Sequence, residues 1–164
     1  MKKIKLISII LISLYFLYYI STYTEWHFID YVNLIFHEAG HTIFFFAGMY
    51  LKILAGSGLQ IAIPLFITLY FLYNENRFSA SLCLMWLGQN ILNVSVYIRD
   101  AITMQLDLLG GDYVIHDWNY LLSNLDFLRF APEIASIFYY SGILAIIIGI
   151  FSAINYLVNN SNHV

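Results

Sequence analysis

Long apolar segments separated by short polar ones dominate this chain of 164 residues and most constrain its fold. Hydrophobic residues make up 61% of it and charged residues only 10%, against about 25% charged residues in soluble domains. A soluble fold of this length could not bury so much apolar surface, whereas a lipid bilayer solvates it directly. The sequence therefore predicts a single all-α integral membrane domain, a bundle of about five transmembrane helices with possible re-entrant segments.

The predicted spans follow the apolar runs, since about 20 apolar residues are needed to cross a bilayer. They cover residues 4–20, 30–54, 60–74, 79–98 and 134–158, all as approximate bounds. The mixed stretch 100–130 is predicted to be a loop or a re-entrant segment. Between the second and third spans, Ala55 to Gln60 contains Gly56 and Gly58 and predicts a flexible link.

The cations suggest an orientation. Lys2, Lys3 and Lys5 precede the first apolar run, and no small-residue cleavage site follows it, which favours an uncleaved first span. With the N-terminus in the cytoplasm, the predicted spans leave only Arg77 on the far side. This asymmetry is the one that the positive-inside rule describes, so the N-terminus is predicted to be cytoplasmic.

The charge balance and the cysteine count exclude two classes of function. A formal net charge of −3 offers no basic patch for nucleic acid. Cys83 is the only cysteine in the sequence, so neither an intrachain disulfide nor a cysteine-based zinc site can form. The partners predicted instead are the lipid bilayer and a membrane-protein or peptide substrate.

The motif with the most specific chemistry is His37-Glu38-Ala39-Gly40-His41, an HExxH pattern within an apolar helical run. Residues four apart share one face of a helix, so both imidazoles can reach one metal ion. Glu38 would then lie beside a water molecule activated by Zn²⁺ and serve as the general base. The alternative is a satisfied polar cluster between helices. The cost of burying two histidines and a glutamate in an apolar span favours the metal site.

These residues resemble the site-2 protease family of intramembrane zinc metalloproteases. The resemblance rests on His37, Glu38 and His41, with Gly40 before the second histidine. It implies a helical membrane core, a catalytic zinc and peptide-bond hydrolysis, with the two histidines as ligands and Glu38 as the base. It also implies that the segment after the motif bends back toward the site, which Gly56 to Gln60 could do.

The family's Leu-Asp-Gly motif, which supplies its third ligand, is absent from this sequence. Catalytic zinc needs three protein ligands and an open position, so another residue must contribute. The candidates are His116, Asp117, Asp112 and Asp100. His116 and Asp117 are favoured, one of them as the ligand, and the alternative for Asp117 is a helix N-cap. A ligand from this stretch requires residues 100–130 to re-enter the membrane, because His37 is predicted in the outer or middle part of its span.

Polar residues in the other predicted spans suggest a substrate-binding or polar cavity. Asn90, Asn93 and Tyr97 follow i, i+3, i+7 spacing on the fourth span and share a helical face. Gln60 lies at the start of the third. Each of these residues could instead make an ordinary hydrogen bond between helices.

The sequence suggests three alternative functions, each from a different class of protein. The first is a membrane-embedded zinc metallohydrolase, a peptidase that cleaves membrane-associated polypeptides. The second is a non-catalytic metal-binding or scaffold protein, a degenerate protease, motivated by the missing Leu-Asp-Gly motif. The third, a di-iron oxygenase of the desaturase type, needs several histidine boxes, whereas the sequence has five histidines in all.

Overall fold

The computed structural model describes residues 2–107, 109 and 114–159. All the regular structure in these residues is helical, so the predicted all-α class is confirmed for the described part of the chain. The helices are α1 (Lys2–Ser21), α2 (Phe28–Ile43), α3 (Met49–Tyr73), α4 (Arg77–Arg99), α5 (Asp117–Ser123) and α6 (Ala131–Asn159), with a 3-10 turn at Leu128–Phe130.

Among the described residues, four helices are long and apolar enough to cross a membrane: α1, α3, α4 and α6, the last extended by the preceding 3-10 turn. The predicted number of about five is therefore too high. The helix within a predicted span that does not qualify is α2, whose 16 residues reach only about 24 Å. A bilayer core is about 30 Å thick, so α2 is too short to cross it alone.

One end of the bundle is formed by the start of α1, the start of α4 and the end of α6, and we call it the N-terminal end. The Lys5 ammonium donates to the Tyr156 hydroxyl at 2.8 Å and lies 5.0 Å from the centre of the Phe78 ring. Because α1 begins beside residues that start α4 and end α6, it runs antiparallel to α6 and parallel to α4.

The other end, which we call the α2 end, contains both termini of α2. Thr22, just after α1, lies 3.0 Å from Nε2 of His27, just before α2. At the C-terminus of α2, Nδ1 of His41 lies 2.9 Å from the backbone oxygen of Lys52 in the first turn of α3. Since α2 begins and ends at one end of the bundle, it does not continue from one side to the other.

The predicted second span, residues 30–54, is therefore wrong, and the physical reason is the turn between α2 and α3. The chain leaves the helix after Ile43 and reverses through Phe44 to Gly48. Gly48 has a φ of 86°, a backbone conformation that a residue with a Cβ rarely adopts. The chain thus reverses direction sharply within a stretch that is apolar throughout in the sequence.

The predicted link from Ala55 to Gln60 is also helical and lies inside α3, which begins at Met49 and not near residue 60. Its glycines are explained by packing. A Cβ added to Gly40 would overlap the backbone oxygen of Ala55, and one added to Gly56 would lie 2.6 Å from Cε1 of His41. Small residues here allow α2 and α3 to approach closely.

Two of the long helices, α4 and α6, also pack together through small residues. A Cβ on Gly88 of α4 would lie 2.6 Å from the backbone oxygen of Gly142 of α6, and a Cβ on Gly142 would lie 2.7 Å from that of Gly88. The outward faces are apolar: Leu11, Ile137 and Phe151 are 61%, 65% and 75% exposed. Such a surface suits lipid and not water.

The cations divide between the two ends, contrary to the one-sided distribution expected from the sequence. Four of the seven lie near the N-terminal end and three near the α2 end. The first group is Lys2, Lys3, Lys5 and Arg77, and the second is Lys52, Arg99 and Arg129. The positive-inside rule therefore gives no orientation for this bundle.

The number of spans can be tested by labelling single cysteines in membranes, in a Cys83→Ser background. Thr24, Asn74 and Ser123 are exposed positions between helices or at their ends. We expect Thr24→Cys and Ser123→Cys to react with an impermeant maleimide from one side of the membrane, and Asn74→Cys from the other. A five-span topology would instead pair Thr24→Cys with Asn74→Cys.

Candidate metal centre

The HExxH helix presents its polar residues along one buried stripe. Asp30, Asn33, His37 and Gly40 of α2 are all buried, spaced three or four residues apart. His41 continues this face by one more turn and is partly buried. Since residues at this spacing lie above one another on a helix, α2 points its histidines and its carboxylate into the bundle.

Three ligand atoms converge at the end of this stripe. Nε2 of His37 and Nε2 of His41 lie 3.1 Å apart. Oδ2 of Asp117, from α5, lies 2.9 Å from the first and 3.2 Å from the second. Four ligands placed tetrahedrally at zinc-nitrogen and zinc-oxygen bond lengths are separated by about 3.3 Å, so the observed triangle is close to the size that one metal ion requires.

The outer nitrogens of the two imidazoles show why these atoms suit a cation. Nδ1 of His37 faces the carbonyl oxygen of Gln60 at 3.2 Å, and Nδ1 of His41 faces the backbone oxygen of Lys52. Both oxygens only accept, so each Nδ1 carries the proton. In neutral imidazoles the two Nε2 atoms then present lone pairs to each other and to the Asp117 carboxylate. A bound cation relieves this repulsion, and the donor set therefore fits a metal.

The short helix α5 brings the third candidate ligand to the two histidines. His116 caps it, because Nδ1 of His116 accepts the backbone N–H of Asn119 at 3.2 Å. The alternative of Asp117 as the N-cap is wrong, and its carboxylate is free to turn toward α2. Two contacts hold it there: the Asp117 backbone N–H donates to the Tyr97 hydroxyl at 3.0 Å, and the Trp118 indole donates to Ser57 at 3.1 Å.

Among the four candidates for the third ligand, the described structure brings only Asp117 to the two histidines. His116 is turned away, with Nε2 at 3.3 Å from Oδ2 of Asp100. Asp100 also accepts from the Thr103 hydroxyl and the backbone of Gln105, so it organises the loop after α4. Asp112 lies outside the described residues.

Opposing effects set the pKa values of Asp117 and His116. Burial alone would raise the pKa of Asp117, but its close contacts with the imidazoles of His37 and His41 outweigh burial and lower the pKa below the ordinary value of a carboxyl. For His116, burial disfavours the imidazolium and lowers its pKa despite the neighbouring Asp100. A lowered pKa at Asp117 favours the carboxylate, which is the form that binds a metal.

A cavity of about 570 Å³ opens onto the three ligands. Its walls mix apolar side chains with five acidic ones, and no Lys or Arg is among the described residues that line it. The acidic residues are Glu25, Asp30, Glu38, Asp107 and Asp117. Glu38 is exposed to this cavity, next in sequence to His37, which is only 6% exposed. The cavity can therefore admit water or another small molecule to the three side chains.

Two of the three residues predicted for a polar cavity line it, and one does not. Gln60 and Asn93 contribute to the wall and hydrogen bond to each other at 2.8 Å. Asn90 is fully buried away from the cavity, and its amide donates to the backbone oxygen of Trp86. The cavity side of α4 is the one that carries Asn93 and Tyr97, whereas Asn90 follows a different stripe of the same helix.

Sequence reasoning missed two features of the site. The first is Asp30, at the start of the predicted second span, which lies seven residues before His37 on the same helical face. The second is Gly56: a Cβ there would lie 2.7 Å from Nε2 of His41 and 2.8 Å from Nε2 of His37. The glycine leaves open the space into which both ligand nitrogens point. The number of residues between Gly56 and the motif does not indicate this contact when only one sequence is known.

Comparison with protein-family models, with curated proteins and with solved structures finds no match.

The ligand set predicts how zinc binding responds to substitution. We expect near-stoichiometric zinc in the purified wild type, and its loss in His37→Ala, His41→Ala and Asp117→Ala, because three protein ligands are the minimum for such a site. His116→Ala is expected to retain zinc, since its ring faces Asp100. Elemental analysis of each purified variant measures the ratio. Loss of zinc from His116→Ala with retention in Asp117→Ala would reverse the assignment.

A pair of glycines in α3 tests the geometry without touching a ligand. In Gly56→Ala the new methyl group enters the space between the two imidazoles, and we expect zinc binding to be abolished. Gly58→Ala is the matched control, because a Cβ at Gly58 meets nothing within 4 Å. It is expected to keep zinc and to stabilise the helix by about 0.5–1 kcal/mol. Equal zinc content in the two variants would contradict this arrangement.

Proposed function

We propose that this protein is a multi-pass membrane metallohydrolase, a zinc peptidase that cleaves membrane-associated polypeptides. The observation that carries the proposal is the convergence of His37, His41 and Asp117 on one point beside a cavity that Glu38 lines. Three protein ligands with open space on one side are the arrangement of a catalytic zinc and not of a closed structural one.

The choice of zinc rests on the ligand types. Two imidazoles and one carboxylate make a mixed nitrogen and oxygen set that suits zinc in hydrolases. When bound, the ion supplies Lewis acidity: it lowers the pKa of a water molecule at the open position and polarises a carbonyl group.

Glu38 is the residue proposed for proton transfer. Its carboxylate is next to a ligand in sequence but belongs to the exposed side of α2, facing the cavity. It can therefore accept a proton from a water molecule there and return that proton to the leaving nitrogen of a cleaved peptide bond. His37 and His41 cannot take this role, because both of their ring nitrogens are already engaged.

The cavity walls support a polypeptide as the substrate. Apolar side chains such as Leu34, Val94 and Ile115 line it together with the acidic groups. Side chains of a hydrophobic segment can pack against these walls, whereas an anionic lipid head group or a nucleic acid would be repelled by the carboxylates.

The depth of the centre supports a substrate inside or beside the bilayer. Gln60, which contacts His37, is 11 residues after Met49, or about 16 Å along α3. With α3 crossing the membrane, the centre lies between the α2 end and the middle of the bilayer. A cavity open at that end brings water to it.

Replacing the proposed base separates catalysis from metal binding. We expect Glu38→Gln to retain wild-type zinc and to lose activity by about 10²–10⁴-fold, since general base catalysis contributes that much. Host membranes carrying the wild type or Glu38→Gln can be compared by mass spectrometry of newly formed peptide termini, with zinc content measured in parallel. Termini that depend on the wild type support the peptidase.

The same experiment distinguishes the competing function. Zinc bound by both forms, with no terminus specific to the wild type, would favour a non-catalytic metal-binding scaffold. Equal cleavage by the wild type and Glu38→Gln would show that another residue is the base.

A further inference from the structure

We propose that Asp30 is a positioning residue, which sets the orientation of the ligand His37 through Asn93 and Gln60. The inference rests on the proposed metal centre and assigns a role to a carboxylate that is not one of its ligands. Three hydrogen bonds form the path: Asn93 to Asp30 at 3.0 Å, Gln60 to Asn93 at 2.8 Å and His37 to Gln60 at 3.2 Å. We call this path the relay.

Asp30 is well suited to anchor such a path. It is only 1% exposed, in the first turn of α2, and its two oxygens accept four hydrogen bonds. Three come to Oδ1 and one to Oδ2: the Tyr19 hydroxyl at 2.9 Å, the Gln89 amide at 2.7 Å, the Asn93 amide at 3.0 Å and the His27 backbone N–H at 2.8 Å. A carboxylate held by this many donors has a fixed position.

The direction of every bond in the relay follows from Asp30. A carboxylate only accepts, so Asn93 must turn its NH₂ group toward it and its carbonyl group away. That carbonyl accepts from the NH₂ group of Gln60, which turns the Gln60 carbonyl toward His37. Nδ1 of His37 must then carry the proton, and Nε2 is left with the lone pair that a metal needs.

A second chain of hydrogen bonds leads from Asp30 through Gln89 and Asn33 and ends at the indole of Trp86. The Gln89 carbonyl accepts from the Asn33 amide at 2.7 Å, and the Asn33 carbonyl accepts from the Trp86 indole at 3.0 Å. An indole only donates, so this branch runs from a pure donor to a pure acceptor and has one possible direction. It does not reach His37, which makes it an internal comparison for the relay.

The relay matters because a ligand imidazole is useful in one tautomer only. Without the Gln60 carbonyl on Nδ1, the proton can move to Nε2 and block the metal. Partners on the outer nitrogen of a ligand histidine also fix the plane of the ring, and their loss typically weakens metal binding by about 10–100-fold.

The test is the zinc affinity of the detergent-solubilised full chain, measured by competition with a chelator. Asn93→Leu cuts the relay, and Gln60→Met removes the contact with His37 at nearly constant length. Both are expected to weaken zinc binding by about 10–100-fold. The matched control is Asn33→Leu, which removes a buried amide from the other branch and is expected to change the affinity by less than about threefold.

A second measurement separates positioning from a general loss of structure. The absorption bands of Co²⁺ bound in place of zinc report on the geometry of the ligands. They are expected to shift in Asn93→Leu and Gln60→Met and to stay unchanged in Asn33→Leu, with helix content by circular dichroism as the check on folding. If Asn93→Leu fails to fold, Gln60→Met decides the question.

Three results would overturn the relay. Wild-type affinity in Gln60→Met would remove its last step, and wild-type affinity in a folded Asn93→Leu would disconnect Asp30. Equal weakening in all three variants would make the polar network structural only. Absence of zinc from the wild type is a different failure, because it removes the proposed centre itself.

Discussion

The close approach of α2 and α3 is the contact on which the candidate centre depends. Gly40 and Gly56 have no side chains to hold the helices apart, and a Cβ on either would overlap its neighbours. At this distance, α3 presents an acceptor to the outer nitrogen of each motif histidine. The same contact therefore packs the helices, orients the two rings and leaves space between their inner nitrogens. Packing and ligand geometry cannot be changed independently here.

The even number of long helices explains how the third ligand reaches the motif. With five spans, His37 would lie in the outer or middle part of its span and Asp117 on the opposite side, so residues 100–130 would have to re-enter the membrane. With four, and α2 returning at the end where it begins, α2 and α5 lie at the same end of the bundle. The Asp117 side chain is then long enough to reach the two motif histidines.

The sequence predicted what depends on composition and on local spacing. The all-α class follows from apolar runs, and the shared face of His37 and His41 follows from the helical repeat. Where helices end inside an apolar run was not predictable, because the reversal at Gly48 is a backbone event that hydropathy does not record. The glycines of α3 were assigned to flexibility, although a glycine in a helix can equally serve a close contact. Which acidic residue completes the centre depended on the tertiary fold.

The polar network also bears on whether the cluster could be a satisfied hydrogen-bond group without metal. Gln60 and Lys52 each offer an acceptor to an outer imidazole nitrogen, so a proton on either inner nitrogen makes that ring an imidazolium. In a metal-free centre one proton must therefore lie among the inner nitrogens and Asp117, which gives either an imidazolium paired with the carboxylate or a protonated Asp117. Burying such an ion pair carries a desolvation cost of several kcal/mol per ion. A metal ion satisfies both inner nitrogens and the carboxylate with neutral rings, and the orientation of Gln60 is the one that this state requires.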